Sequence, residues 1–196
     1  MTPELHLTGD VAADALLSSD PLALVIGMLL DQQVPMETAF AGPAKIHARM
    51  ADGGGLSAEA IAAYDPEALV QLFRTTPAVH RFPGSMAARV QTLCRTIVDD
   101  WAGDAAAIWT SGDPTGADVL ARLKKLPGFG EQKAKIFLAL LGKQYGLSAP
   151  GWREASAPFG EPGIFQSVAD IVDSDSLARV REEKKAHKAA MKAARL

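Results

Sequence analysis

The chain reads Leu126-Pro127-Gly128-Phe129-Gly130-Glu131-Gln132-Lys133-Ala134-Lys135 where a basic helix is predicted to give way to an apolar one. Gly128 and Gly130 can adopt positive φ and carry no side chain, so successive backbone N–H groups can point into one concavity. The helix that begins near Glu131 adds its unpaired N–H groups and the positive end of its dipole at the same place. This pattern predicts a turn that holds a DNA phosphate with backbone atoms.

Two upstream segments extend the pattern beyond the turn. The segment from Pro21 to Val34 is an apolar helix followed by a glutamine-rich loop with Gln32-Gln33, and a long amphipathic helix runs from Ser85 to Trp101. With the turn they cover roughly residues 20 to 146. In this order they resemble the helix-hairpin-helix base-excision glycosylase superfamily, which includes endonuclease III and the alkylpurine glycosylases. The segment with the glutamine-rich loop is most similar to the alkylpurine branch. The resemblance implies a divergent member with two packed helical lobes and a role in DNA repair.

Hydrophobic periodicity also predicts an all-α fold, because alternating strand patterns are scarce. The predicted helices span about residues 10–17, 21–32, 35–50 with a break near 42–43, 65–74, 85–101, 117–125, 131–145 and 174–195. One domain over 1–196 is expected, with a helical lobe at about 20–116, a hairpin at 117–146, and an irregular segment followed by a C-terminal helix at 147–196.

Composition limits the classes of protein that this chain can represent. A chain of 196 residues can bury its own core, and the single cysteine, Cys94, lies on an apolar helix face with Met86 and Val90. One cysteine cannot supply the four-cysteine iron–sulfur cluster that some members of the resembled family carry. We therefore expect no cofactor and no metal.

The expected location is the cytoplasm, with association to the nucleoid when DNA is bound. The first ten residues lack a basic region followed by an apolar run, and the apolar run Leu22 to Leu30 is too short to span a membrane. We expect a monomer that makes no membrane contact.

Charge is distributed unevenly along the chain. The net charge is −3, but the segment from Leu177 to Leu196 holds seven Lys or Arg against two Glu, so it carries +5 and the first 176 residues carry −8. Basic residues also flank the glycine turn, namely Arg122, Lys124, Lys125, Lys133 and Lys135. Such a cluster favours salt-dependent binding of double-stranded DNA, which is the predicted partner.

The first mechanistic signature is a lysine early in the second hairpin helix. In the resembled family the bifunctional members use this lysine to form a Schiff base with the sugar and cut the strand. Gln132 occupies that position here, and an amide cannot form the imine, so a monofunctional enzyme without lyase activity is predicted. Lys133 would point about 100° away around the helix and is expected to contact phosphate or solvent.

The second signature in the family is an aspartate about 18 to 20 residues after the lysine position. Here that place falls on Pro150, Gly151 and Trp152, so no carboxylate stands there. Glu154 is the nearest acid and becomes the candidate catalytic carboxylate. It can equally be an ordinary surface acid.

The third signature is a base pocket with a side chain that wedges into the duplex. Gln32 and Gln33 are candidates to read a base edge or fill a gap in the duplex, or alternatively to cap the preceding helix. His80 and Arg81 are placed in a second candidate intercalating loop, although such a histidine can also be a simple surface group. Trp152 is a candidate to stack on an extruded base.

Two functions remain open from the sequence. The first is a monofunctional DNA glycosylase that hydrolyses the N-glycosidic bond of a damaged base. The alternative is a DNA-binding module that recognises damaged or distorted duplex without chemistry. They are distinguished by whether a carboxylate, with Glu154 as the candidate, faces the groove between the hairpin and the Gln32-Gln33 loop.

Overall fold

The computed structural model describes residues 3–50 and 55–193, and this part of the chain contains helices but no strand. The helices are α1 (Val11–Ser19), α2 (Pro21–Leu30), α3 (Met36–Phe40), α4 (Gly42–Arg49), α5 (Ala58–Ala63), α6 (Pro66–Arg74), α7 (Pro83–Trp101), α8 (Ala107–Thr110), α9 (Gly116–Lys125), α10 (Glu131–Gln144), α11 (Trp152–Ala155) and α12 (Ser174–Ala193), with a 3₁₀ turn at Val168–Asp170. The all-α fold predicted from the sequence is confirmed.

Local capping explains where several helices begin. The Asp20 carboxylate accepts hydrogen bonds from the N–H groups of Leu22 and Ala23, and Pro21 fills the first helical position of α2. At α9, Thr115 and Asp118 form a capping box in which each side chain accepts from the other residue's backbone N–H. These signals are readable in the sequence because they depend on neighbours three residues apart.

The structure departs from the predicted boundaries in a few places. Helix α2 ends two residues early, the segment after it divides into α3 and α4, and the short helices α5, α8 and α11 were not predicted. Helices of four to six residues carry too few turns for a periodic pattern. The end of the predicted C-terminal helix, after Ala193, lies outside the described residues.

Helix α2 lies at the centre of the fold. Every residue from Leu22 to Leu30 is buried, and a Cβ placed on Gly27 would lie 2.7 Å from the Phe40 ring of α3. Helices α1, α3 and α4 pack on α2, and α7 lies against α5 and α6. Cys94 of α7 is fully buried, as predicted, and burial raises the pKa of its thiol to about 12, so the thiol belongs to the core.

The hairpin helices α9 and α10 pack against each other and against α11. At the end away from the turn, the backbone N–H of Gly116 donates to the carbonyl of Pro150 at 2.7 Å, and Gly142 of α10 lies directly against the Trp152 ring.

No single helix in the described residues is long and apolar enough to cross a membrane; α1 and α2 pass that test only as a pair, which is bent by 115°.

Candidate nucleic-acid interface

The glycine turn is held by the side chains that point away from its open face. Leu126 and Phe129 are buried, and the Phe129 ring packs edge-on against Phe137 at a centroid distance of 5.8 Å. The Phe129 N–H donates to the Leu126 carbonyl at 3.0 Å, while Gly128 has a φ of 81°. The buried hydrophobic side chains of the turn thus fix its shape, and its backbone is available for contacts with other molecules.

Gly130 leaves the outer face of the turn accessible to other molecules, because it has no side chain. It is the N-cap of α10, no side chain caps that helix, and a Cβ built on Gly130 meets nothing within 4 Å. The N–H groups of the first turn of α10 have no partner within the helix. The arrangement therefore presents several donors and the positive end of a helix dipole to an anion such as phosphate.

Lys133 lies between the hairpin and α2 and does not face outward. Its ammonium donates hydrogen bonds to the carbonyls of Met28 at 2.7 Å, Leu29 at 3.2 Å and Asp31 at 3.2 Å, which are the last carbonyls of α2 and its cap. The prediction that Lys133 contacts phosphate or solvent is wrong, because these carbonyls at the end of α2 attract the ammonium inward. Lys133 instead ties the hairpin to the start of the glutamine loop.

The pKa of Lys133 is lowered to about 8, mainly by burial; the negative charge of Asp31 opposes this shift and the positive charge of Arg89 adds to it. Between this pKa and the ordinary value of 10.5, the unfolded chain binds more protons than the folded protein. The contribution of Lys133 to the free energy of unfolding therefore rises as the pH increases from about 8 toward 10.5.

Replacing this lysine tests both its capping role and its titration. We expect Lys133→Met to lower the free energy of unfolding by about 1–3 kcal/mol near pH 10, where the neutral amine still donates to the carbonyls at the end of α2 without the cost of a buried charge. The extra stability that wild type gains above pH 8 should be absent from the variant. Urea unfolding curves recorded between pH 7 and 10 measure both effects.

Lys135→Met is the matched control, because Lys135 makes only a surface ion pair with Glu131 at 3.3 Å. That change should alter stability by less than about 0.5 kcal/mol. The pKa values of Cys94 and Tyr145 are also shifted, but these groups are present in wild type and in both variants. Their contributions therefore cancel when the free energy of unfolding of each variant is subtracted from that of wild type at the same pH. Equal stability of Lys133→Met and wild type would show that the three hydrogen bonds do not support the fold.

The glutamine loop after α2 separates its two glutamines. The Gln32 amide donates to the Leu29 carbonyl at 2.6 Å and accepts from Arg89 of α7 at 2.8 Å, so Gln32 caps α2. Gln33 is exposed and has a φ of 59°, a left-handed conformation uncommon for any residue except glycine. The capping alternative describes Gln32, whereas Gln33 projects from the surface beside the turn. Arg89 was not predicted as a partner of Gln32, because the two residues are 57 positions apart in the sequence.

The second loop presents Arg81 and Phe82, while His80 points inward. His80 is buried; its Nδ1 accepts from the Phe82 N–H at 3.1 Å, so its Nε2 carries the proton and donates to the Gln32 carbonyl at 3.0 Å. Burial lowers the pKa of His80 and favours this neutral form. His80 is therefore a buried link between the two loops, and neither the intercalating role nor the surface alternative describes it. The exposed Phe82 ring, with the Arg81 guanidinium 4.7 Å from its centroid, is the available flat group.

The basic flank of the turn is partly used inside the protein. Arg122 donates to the carbonyls of Ile108 and Ser111 and stacks over Trp101, so it holds α8 against α9. Lys124 and Lys135 both pair with Glu131, at 3.5 Å and 3.3 Å. Surface pairs of this kind are weak, so both lysines can turn to a phosphate. Lys125 is exposed, and among the described residues it has no ion-pair partner.

A cleft opens beside the start of α10, between that helix and α12. Its volume is about 790 Å³, which is suitable for one nucleotide. We call it the α10–α12 cleft, and its described lining consists of Gln132, Ile136, Pro158, Phe159, Gln166, Glu183 and Ala186. Gln132 is exposed and lies two residues after Gly130, so the cleft adjoins the glycine turn.

Glu154 and Trp152 lie at the opposite end of the hairpin. Trp152 packs on Gly142, which is ten residues, or about 15 Å of helix, beyond Gln132. Glu154 is exposed on the same one-turn helix α11. The predictions that Trp152 borders a base pocket and that Glu154 faces the groove are wrong, because the Pro-Gly-rich segment folds onto the far end of α9 and α10.

Asp170 and Asp173 follow this segment, and both make structural contacts. Asp170 is buried; it pairs with Lys143 and accepts hydrogen bonds from the N–H groups of Gln166 and Ser167. Asp173 receives the Ser176 N–H at 2.7 Å at the start of α12. Hydrogen bonds from Ser176 lower the pKa of Asp173. Within residues 3–50 and 55–193, no group of three or more His, Cys, Asp or Glu could hold a metal ion.

Comparison with known proteins identifies the family. The family model described as HhH-GPD superfamily base excision DNA repair protein matches residues 26–195. No curated protein and no solved structure matches the chain. The match begins within the central helix α2 and includes the hairpin and α12, and the glycine turn that presents backbone donors lies inside it. The chain belongs to the HhH-GPD superfamily of base excision DNA repair proteins.

Proposed function

We propose that this protein is a monofunctional DNA glycosylase that hydrolyses the N-glycosidic bond of a damaged base in double-stranded DNA. The observation that carries the proposal is the α10–α12 cleft, which adjoins the glycine turn and contains Gln132 where strand-cutting members of the family have a lysine. A phosphate held at the turn would bring the neighbouring nucleotide to the mouth of this cleft. The protein would act as a monomer in the cytoplasm, on DNA of the nucleoid.

The surroundings of the turn support a role on distorted duplex. The turn lies on α2, whose C-terminal loop exposes Gln33, and His80 connects that loop to the loop of Arg81 and Phe82. A polar side chain and an aromatic ring therefore flank one phosphate-binding site. Side chains placed in this way can fill the space that an extruded nucleotide leaves in the duplex.

The absence of strand cutting follows from the positions of the two residues at the start of α10. Gln132 has no amine to form an imine with the sugar. Lys133 has an amine, but three carbonyls of α2 and its loop hold it on the side of the helix that faces the core. Neither side chain can serve as a Schiff-base nucleophile in this arrangement.

Base release is tested with duplexes that each carry one uracil, hypoxanthine, alkylated purine or oxidised base. We expect the protein to generate abasic sites in at least one duplex, seen as strand breaks that appear only after alkali. Borohydride should trap no covalent complex. Gly130→Asp is the binding-deficient control. Breaks formed without alkali would indicate a lyase, and release from no duplex, with salt-dependent binding retained, would favour the damage-recognition module.

A further inference from the structure

The α10–α12 cleft holds one carboxylate among its described lining residues, and that carboxylate belongs to Glu183. The other candidates lie elsewhere. Glu154 is at the far end of the hairpin, and Asp170 is buried against Lys143. Asp173 caps α12 ten residues before Glu183, which is about 15 Å along the helix. Among the described residues, the carboxylate that lines the cleft together with Gln132 is therefore supplied by α12.

Contacts on both sides of α12 determine which way Glu183 faces. Val180 is 2% exposed and packs in the core, and the Arg179 guanidinium lies 5.1 Å from the centre of the Phe165 ring. Residues three and four positions apart share a helix face, so Glu183 faces the same side as these two. Arg181, which points about 200° away from Glu183, pairs with Glu37 of α3 on the other side. The helix is thus anchored with Glu183 toward the cleft.

The described walls of the cleft carry apolar and polar groups of the kinds that bind a nucleobase. Ile136 and Phe159 are half-buried apolar side chains that can cover the flat faces of a ring. The exposed amides of Gln132 and Gln166 carry both donors and acceptors for its polar edge. The backbone of Gln166 is fixed by its hydrogen bond to Asp170 at 3.0 Å.

We propose that Glu183 is the catalytic carboxylate, which activates the hydrolytic water and stabilises the cationic sugar of a nucleotide extruded into the α10–α12 cleft. The inference rests on the proposed glycosylase function and names the group that performs it. Glu183 is exposed in the unbound protein, and a nucleotide that enters the cleft would cover it from water, so that its carboxylate would interact strongly with positive charge developing on the sugar.

The step balances with water as the only co-reactant. The bond between C1′ and the base nitrogen breaks, and its electron pair leaves with the base, which takes a proton from solvent. The water oxygen forms a new bond to C1′ while one of its protons passes to the Glu183 carboxylate, which later returns it to solvent. The products are the free base and the abasic hemiacetal, with no change in oxidation state.

The activity test compares Glu183→Gln with Glu154→Gln, two isosteric changes that remove one exposed carboxylate each. On the duplex that wild type processes, Glu183→Gln should reduce the single-turnover rate of base release by about 100-fold or more. Glu154→Gln should retain the wild-type rate. Release by Glu183→Gln at the wild-type rate would overturn the inference and leave the proposed function intact.

A binding measurement tests the role of Glu183 without requiring base release. One duplex carries a neutral tetrahydrofuran abasic site, and a second carries a cationic pyrrolidine in place of the sugar. Wild type should bind the cationic duplex at least about fivefold more tightly, and Glu183→Gln should bind both equally. A Glu183-dependent preference without base release would sink the glycosylase proposal alone. Equal binding of both duplexes by wild type would overturn the role of Glu183.

Discussion

Gly130→Asp is expected to weaken binding to duplex DNA by about 10- to 100-fold while leaving the fold as stable as wild type, or more so. Gly130 is the N-cap of α10, where aspartate is among the preferred residues, and the space around it is open. The new carboxylate would accept hydrogen bonds from the same N–H groups that the phosphate needs. It would also place a negative charge at the anion site, and loss of one or two charge-assisted hydrogen bonds accounts for the expected loss of affinity.

Two matched variants separate charge from capping in this experiment. Gly130→Asn also caps the helix but adds no charge, so its affinity should lie between those of wild type and Gly130→Asp. Gly130→Ala tests the added Cβ alone, which meets nothing within 4 Å. Fluorescence anisotropy over a range of salt concentrations gives the affinity and its salt slope, and the slope should fall by about one for a lost phosphate contact. Unchanged DNA affinity of Gly130→Asp would show that phosphate does not bind at this turn.

The helices and the turn could be predicted because their signals are local. Caps such as Asp20 before Pro21, and the buried stripe of α7, depend on residues within one or two turns. Lys133 shows that local signals do not reveal contacts between residues far apart in the sequence. Its spacing places it on the face next to Gln132, but the carbonyls that hold its ammonium are more than one hundred residues away in the sequence.

The candidate site was only partly predictable for the same reason. The turn, Gln132 and the exposed Gln33 could be named, but His80 turns inward because it meets the Gln32 carbonyl across 48 residues of sequence. The prediction of Glu154 relied on counting through a Pro-Gly-rich segment, where residue number does not determine direction. Glu183 was not identified, because a charged residue in a basic helix resembles any solvated one until packing shows which face the helix turns inward.

Gly128→Val is expected to destabilise the protein by about 2–4 kcal/mol. Gly128 has a φ of 81°, where a side chain costs about 1–2 kcal/mol. Its Cβ would also overlap the Cδ1 atom of Leu29, a fully buried residue of the central helix α2. Because the turn is seated on Leu29, the substitution should displace the hairpin from α2 and weaken DNA binding as a consequence. Thermal and urea unfolding measure the loss, with Gly130→Ala as the control.

A double-mutant cycle distinguishes the overlap with Leu29 from the backbone conformation. Leu29→Ala alone opens a cavity and should cost about 2–5 kcal/mol, but it removes the atom that a Cβ at position 128 would meet. The two substitutions should therefore be less than additive, with a coupling of about 1 kcal/mol or more. The remaining cost is that of positive φ, which no change at Leu29 can relieve. Strict additivity would mean that the hairpin does not rest on α2 at this point, and the position of the glycine turn relative to Gln33 would need another explanation.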